Sequence, residues 1–159
     1  EITAITLTGH PLLRQRTDRP AVQSGRASQV SAQHAVAASL LRGRAGLNEF
    51  SDEAVQDPAL RALGACVCFK DDPTYAIDSA TVTLQFAQHP EISLHIANAR
   101  GSVKYPLSDL EIEKKFLDLS NKHLSTKQAR SLIDAIWNLD NLTDVSLLMK
   151  LAQIPDTQT

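Results

Sequence analysis

Apolar and polar residues alternate with a period of two in several stretches of this chain and recur with a period near 3.6 in others. In Thr3–Thr8, Ile5 and Leu7 alternate with threonines, which predicts a half-buried strand. Cys66–Lys70 sets Val67 and Phe69 against Cys66 and Cys68. Ala80–Ala87 sets Val82, Leu84 and Phe86 against Thr81, Thr83 and Gln85, and Ile92–Asn98 sets Ile92, Leu94 and Ile96 against Ser93, His95 and Ala97. The last two stretches, joined by Ala87–Glu91, are expected to form a hairpin. One apolar face per strand predicts an α+β fold with a mainly antiparallel four-stranded sheet and helices packed on one face.

The helical period is clearest in two places. Ser31-Ala32-Gln33-His34 leads into an Ala-, Val- and Leu-rich run that ends at Gly43. Ser31 is a good N-cap, and Gly43 stands where a left-handed residue closes a helix. This helix is apolar nearly all round, so it is expected inside the domain, packed on the sheet with Val36 and Leu40 buried. In the final third, Ser108-Asp109-Leu110-Glu111 reads as a capping box ahead of Ile112, Phe116 and Leu119, with Glu111 and Lys115 as an i,i+4 pair. Ser125-Thr126-Lys127-Gln128 reads as a second capping box, ahead of Ala129, Leu132, Ile133, Ile136 and Leu139. A third helix is expected from about Asp144 to Pro155. The period change divides the chain into an α+β domain over residues 1–103 and three C-terminal helices over residues 104–159. The stripe of Ala129, Ile133 and Ile136 is expected to lack full cover.

Between these elements the pattern weakens. Gly9–Gln29, broken by Gly9, Pro11, Pro20 and Gly25, has no period and is expected to be a mobile loop. Ser51-Asp52-Glu53 opens an acidic turn, and Asp57-Pro58 starts a short helix, Pro58–Leu63, that stops at Gly64. From Gly9 to Gly46 stand Arg14, Arg16, Arg19, Arg26, Arg42 and Arg44 against the single acid Asp18. Such a stretch is either a solvated surface or an electropositive rim that draws a small polycarboxylate to the helix at Ser31.

Composition narrows the function classes. With 159 residues, 43% hydrophobic and 21% charged, the chain holds one domain or one domain plus docking helices. A net charge of −2 points to neither nucleic acid nor an anionic membrane as a partner. No apolar run reaches the ~18 to 20 residues of a membrane span, and the start is unlike a signal peptide. The sole methionine is Met149, so the chain is expected to be a processed product, a cleavage piece or a cut portion, with any targeting segment upstream of Glu1.

Candidate chemistry is sparse. Cys66 and Cys68, two apart on one strand, are badly placed to pair and are expected to be small buried hydrophobes. His10, His34, His89, His95 and His123 form no metal-ligand spacing, so no metal site is expected. No phosphate-binding glycine loop and no Gly-x-Ser-x-Gly elbow is present. Gln33 and His34 stand out because they fall in the first helical turn, where partial positive charge favours anions. A neutral imidazole there can exchange a proton with an anionic ligand; it can equally be a satisfied structural histidine.

The order of motifs resembles the C-terminal part of the MmgE/PrpD family, which includes 2-methylcitrate dehydratases, cis-aconitate decarboxylases and iminodisuccinate epimerases. The likeness is carried by Ser31-Ala32-Gln33-His34 with Ala37-Ala38-Ser39-Leu40-Leu41-Arg42-Gly43. It continues in Gly46–Glu53 with Asp57-Pro58 and Arg61-Ala62-Leu63, then in Ala99-Arg100-Gly101-Ser102 with Pro106-Leu107-Ser108 and Glu113–Phe116. It closes with Leu132-Ile133, Trp137-Asn138-Leu139, Leu142 and Val145. The chain departs from the family with Gln29-Val30 in place of Lys-Phe before Ser31, Gln88-His89-Pro90 at the hairpin, and Val103-Lys104-Tyr105 in place of an acidic pair.

The resemblance implies a large helical N-terminal domain and a smaller α+β lid, this chain being the lid with the closing helices. The implied chemistry is proton abstraction next to a carboxylate in a di- or tricarboxylic acid, without metal or organic cofactor, in a cytoplasmic homodimer. His34 matches the His/Tyr position that faces the cleft and is the candidate catalytic residue; Ser31, Gln33 and Arg26 are the candidate substrate ligands. A non-catalytic binding or interaction module that kept the fold is the alternative.

Overall fold

The structure, a computed structural model, describes residues 1–154 in two compact units, the first ending at Tyr105 and the second starting at Pro106. Strands β1 (Ile2–Gly9), β2 (Val67–Asp71), β3 (Ala80–Phe86) and β4 (Ile92–Ile96) form one sheet in the order β2-β1-β3-β4. The register puts Ile5 beside Val67 and Leu84, and Leu84 beside Ile92. One row on, Leu7 lies beside Phe69 and Val82, and Val82 beside Leu94. The alternating residues of each strand therefore share one face, as the period of two requires. The other face is polar. On it Thr83 and Ser93 hydroxyls meet at 3.0 Å, and Thr81 Oγ1 lies 2.9 Å from His95 Nδ1.

The sheet is mixed rather than purely antiparallel, because β2 runs parallel to β1. The reason is topological. The chain between them is a helical crossover, and a crossover returns a strand in the same direction.

That crossover corrects the expectation of a mobile loop over Gly9–Gln29. Helix α1 (Pro11–Thr17) begins on His10, whose Nδ1 accepts from Leu12 N–H, with proline at the first helical position. Arg14 binds Asp71 at the end of β2 through Nε and Nη2. Helix α2 (Gly25–Ser28) is capped by Ser24 and tied by Gly25 N–H to Asp52, 2.6 Å away. Both helices are shorter than two turns, too short to impose a period on the sequence.

Helix α3 (Ala32–Arg42) is N-capped by Ser31 and closed by Gly43 in the left-handed conformation, φ 66°. Its main neighbour is helix α5 (Pro58–Gly64) rather than the sheet, with buried Gly64 packed against the Gln33 backbone. Ala37 and Ala38 pack with Ala54 and Leu60 in the local core. Only one side of α3 is covered. Val36 is half-buried and Leu40 is 41% exposed, which corrects the all-round burial expected from composition. A 3₁₀ turn, Leu47–Phe50, and helix α4 (Asp52–Gln56) complete this layer; α4 replaces the acidic turn expected at Asp52-Glu53. Cys66 is half-buried and Cys68 exposed, and both thiols are free, so neither is a buried hydrophobe.

The second unit holds α6 (Asp109–Ser120), α7 (Thr126–Trp137) and α8 (Ser146–Leu151), with a 3₁₀ turn at Leu139–Asn141. Ser108 N–H donates to Glu111 at 2.9 Å, the reciprocal half of the expected first capping box. The second box is one-sided. Ser125 Oγ accepts from Gln128 N–H, but the Gln128 side chain donates to the carbonyls of Leu151 and Gln153 and so ties down the end of α8. Ala129, Leu132 and Ile133 are buried, whereas Ile136 and, on α6, Ile112 and Leu119 are exposed. Pro155, expected near the end of the last helix, lies outside the described residues. No helix among the described residues is long and apolar enough to cross a membrane.

Candidate active site

The first turn of α3 is held by its own polar residues and by the segment that precedes α2. Ser31 Oγ accepts from His34 N–H at 3.2 Å and donates to the Arg19 carbonyl at 2.8 Å. Gln33 is 5% exposed and works as a hub. Its Nε2 donates to Asp18 at 2.6 Å, and its Oε1 accepts from Arg19 N–H at 3.1 Å. Both side chains thus spend hydrogen-bonding capacity in pinning Asp18 and Arg19 against the helix start.

His34 is 7% exposed and lies beside Phe50, with ring centroids 5.5 Å apart. Its Nε2 is 2.6 Å from the Glu49 backbone carbonyl. A carbonyl oxygen only accepts, so Nε2 carries a proton and donates it, and Nδ1 is the ring nitrogen left over. Nδ1 has no hydrogen-bond partner among the described residues. Because no fully buried side-chain nitrogen or oxygen there lacks a partner, Nδ1 is not completely enclosed. His34, Ser31 and Gln33 line a cleft of about 300 Å³, closed elsewhere by Pro20–Gln23 and by Val55, Leu60, Arg61, Gly64 and Ala65.

Arg61 is the charged residue on this wall; the sequence places it in one of the motifs that carry the resemblance, but not among the candidate site residues. Its guanidinium donates to Val55 O at 2.8 Å and to Gln56 Oε1 at 2.7 Å, which fixes it at the cleft. The available signal was its place one turn into the helix that Asp57-Pro58 starts. Arg26, on α2, is exposed, is not among the lining residues, and makes no hydrogen bond or ion pair among the described residues. Half of the expected electropositive rim is neutralised: Arg14 pairs with Asp71, Arg42 with Asp57 and Arg44 with Glu49.

Burial pushes the Glu49 carboxyl up, but hydrogen bonds from Gly46 N–H (2.8 Å) and Arg44 Nε (3.1 Å), with the nearby guanidinium charge, outweigh it and hold the group below its usual range. Asp57 and Asp71 are likewise held down by the arginines that bind them. No cluster of three or more His, Cys, Asp or Glu that could hold a metal is found among the described residues.

The family model of the MmgE/PrpD C-terminal domain matches residues 1–141. The chain belongs to the MmgE/PrpD family. None of the curated proteins matches the chain. The MmgE/PrpD match takes in the sheet, the whole cleft, α6 and α7, and it stops before α8.

Proposed function

We propose that this chain is the lid part of a lyase or isomerase that removes a proton next to a carboxylate in a di- or tricarboxylic acid. The observation that carries the reading is His34. It sits in the first turn of α3, its Nε2–H is engaged by a main-chain carbonyl, and its Nδ1 is left free where the residue lines a cleft. A ring held in one tautomer at a helix N-terminus is suited to exchanging a proton beside a bound carboxylate.

In this reading Arg61 supplies positive charge at the wall, Ser31 and Gln33 hold the wall in shape, and Arg26 meets substrate carboxylate from the rim. The remaining acid–base groups belong to a helical N-terminal domain, and the complete enzyme is a cytoplasmic homodimer that needs no metal or organic cofactor. A non-catalytic binding module is the second reading. What favours it is Asp18, whose carboxylate takes up the Gln33 amide that would otherwise meet an anion.

The two readings part in one experiment. His34→Ala in the protein joined to its N-terminal domain, supplied with 2-methylcitrate or cis-aconitate and followed by NMR, is expected to lose ~10²- to 10⁴-fold in turnover with an unchanged circular dichroism spectrum. Wild-type turnover in the variant makes His34 structural. An inactive wild type that still binds the acids favours the binding module.

A further inference from the structure

We infer that Glu49 is a positioning residue for His34, acting through two ends of the same residue. Its backbone carbonyl accepts the His34 Nε2–H at 2.6 Å, and its buried side-chain carboxylate fixes where that carbonyl stands. The inference rests on the proposed role of His34 and adds the group that sets its tautomer.

The geometry is specific. Glu49 is the third residue of the 3₁₀ turn Leu47–Phe50, and its carboxylate folds back to accept from Gly46 N–H, the residue that begins the turn. Glu49 N–H in turn donates to the Gly46 carbonyl at 3.1 Å. Arg44 Nε closes the third side at 3.1 Å. A carboxylate buried to 5% exposure is costly unless it is hydrogen-bonded and paired, and here it is both. The turn is therefore held by charge-assisted bonds in addition to its own backbone bond.

Gly46 matters for a related reason. A Cβ at that position would lie 3.2 Å from Glu49 Oε2, so the carboxylate would have to give by a few tenths of an ångström. Phe50, the next residue, packs its ring against His34, so the turn fixes the imidazole both by hydrogen bond and by contact. None of these groups reaches the cleft wall, so Glu49 acts only through His34.

The test needs no substrate. In the full chain labelled with nitrogen-15, the His34 ring is expected to show the Nε2–H tautomer alone, with a ring N–H proton slow to exchange with water. Glu49→Gln keeps the shape and removes the charge, and it is expected to speed that exchange about tenfold or more, the scale of a hydrogen bond to a charged group. Arg44→Ala, at a residue that is 57% exposed in its side chain, leaves the fold unthreatened and is expected to speed it by a smaller factor. A wild-type ring with Nδ1–H populated, or an exchange rate unchanged in a folded Glu49→Gln variant, overturns the inference. If Glu49→Gln fails to fold, an unchanged rate in Arg44→Ala does the same. Loss of turnover in His34→Ala is read separately, so a structural His34 with a pinned tautomer and a catalytic His34 without one give different results.

Discussion

The residues around His34 divide by what remains of their hydrogen-bonding capacity. Ser31 and Gln33 have spent theirs on Asp18, Arg19 and each other's neighbourhood, whereas His34 retains Nδ1. Sequence reasoning picked out all three, because a cap and a first-turn histidine are local features. It had no way to separate wall from working group, since Asp18 and Arg19 reach the helix start only through the folded crossover. Glu49 illustrates the energetic side. Its carboxyl lies below the usual glutamate value of 4.5 in the folded chain, so it binds fewer protons folded than unfolded at acid pH. The stability it adds is present in full above that value and is lost as pH falls through its folded pKa. Wild type and Glu49→Gln are therefore expected to differ most in melting temperature at neutral pH, and the difference to start shrinking below about pH 4.5 and to close as the pH falls through the lowered folded pKa, a comparison that thermal melts over pH 3 to 7 would decide. Asp57 and Asp71 titrate in both proteins, so their contribution cancels in the difference.

Among the elements, the crossover layer depends on close backbone approach more than on large side chains. Gly25 is its tightest point: a Cβ there would lie 2.2 Å from the Phe50 carbonyl oxygen and 2.8 Å from the Ser51 carbonyl carbon. No side-chain rotation relieves a clash with backbone. Gly25→Ala is thus expected to cost at least the ~1–3 kcal/mol of ordinary overpacking and to displace the turn that holds His34. Gly43→Ala, which meets nothing within 4 Å, is expected to cost only the ~1–2 kcal/mol of a non-glycine left-handed residue. Urea titration of the two variants checks the order; a Gly25→Ala protein as stable as Gly43→Ala would refute it. The four strands, the β3–β4 hairpin, the cap of α3 and the first capping box of α6 were legible because each is set by residues close in sequence. Helices α1, α2 and α4 were not, since each is brief and is held by distant partners such as Asp71 for α1 and Asp52 for α2.

For the whole molecule, the sheet ends on an exposed apolar edge. Within the sheet β4 pairs only with β3, and Ile92 and Leu94 on it are 57% and 60% exposed, although they continue rows that are buried at Ile5 and Leu7. An edge strand with exposed apolar side chains is a template for association. The chain is expected to self-associate with rising concentration, and Leu94→Lys to suppress this without lowering its melting temperature. Sedimentation velocity at several concentrations is the measurement, and a monomer throughout for the wild type would count against the expectation.

The sequence by itself determined the α+β class, the shared apolar face of the four strands, the limits of α3 and the histidine at its start. These follow from periodicity, capping chemistry and glycine conformation, all of which act over a few residues. Tertiary structure decided the parallel pairing of β1 with β2, the packing of α3 on α5 and the neutralising of Arg14, Arg42 and Arg44 by acids elsewhere in the chain. It also decided which nitrogen of His34 is free. The carbonyl that takes up the other belongs to Glu49, fifteen residues away on a separate turn. A main-chain acceptor is present at every residue, so only the folded path of the backbone could select this one.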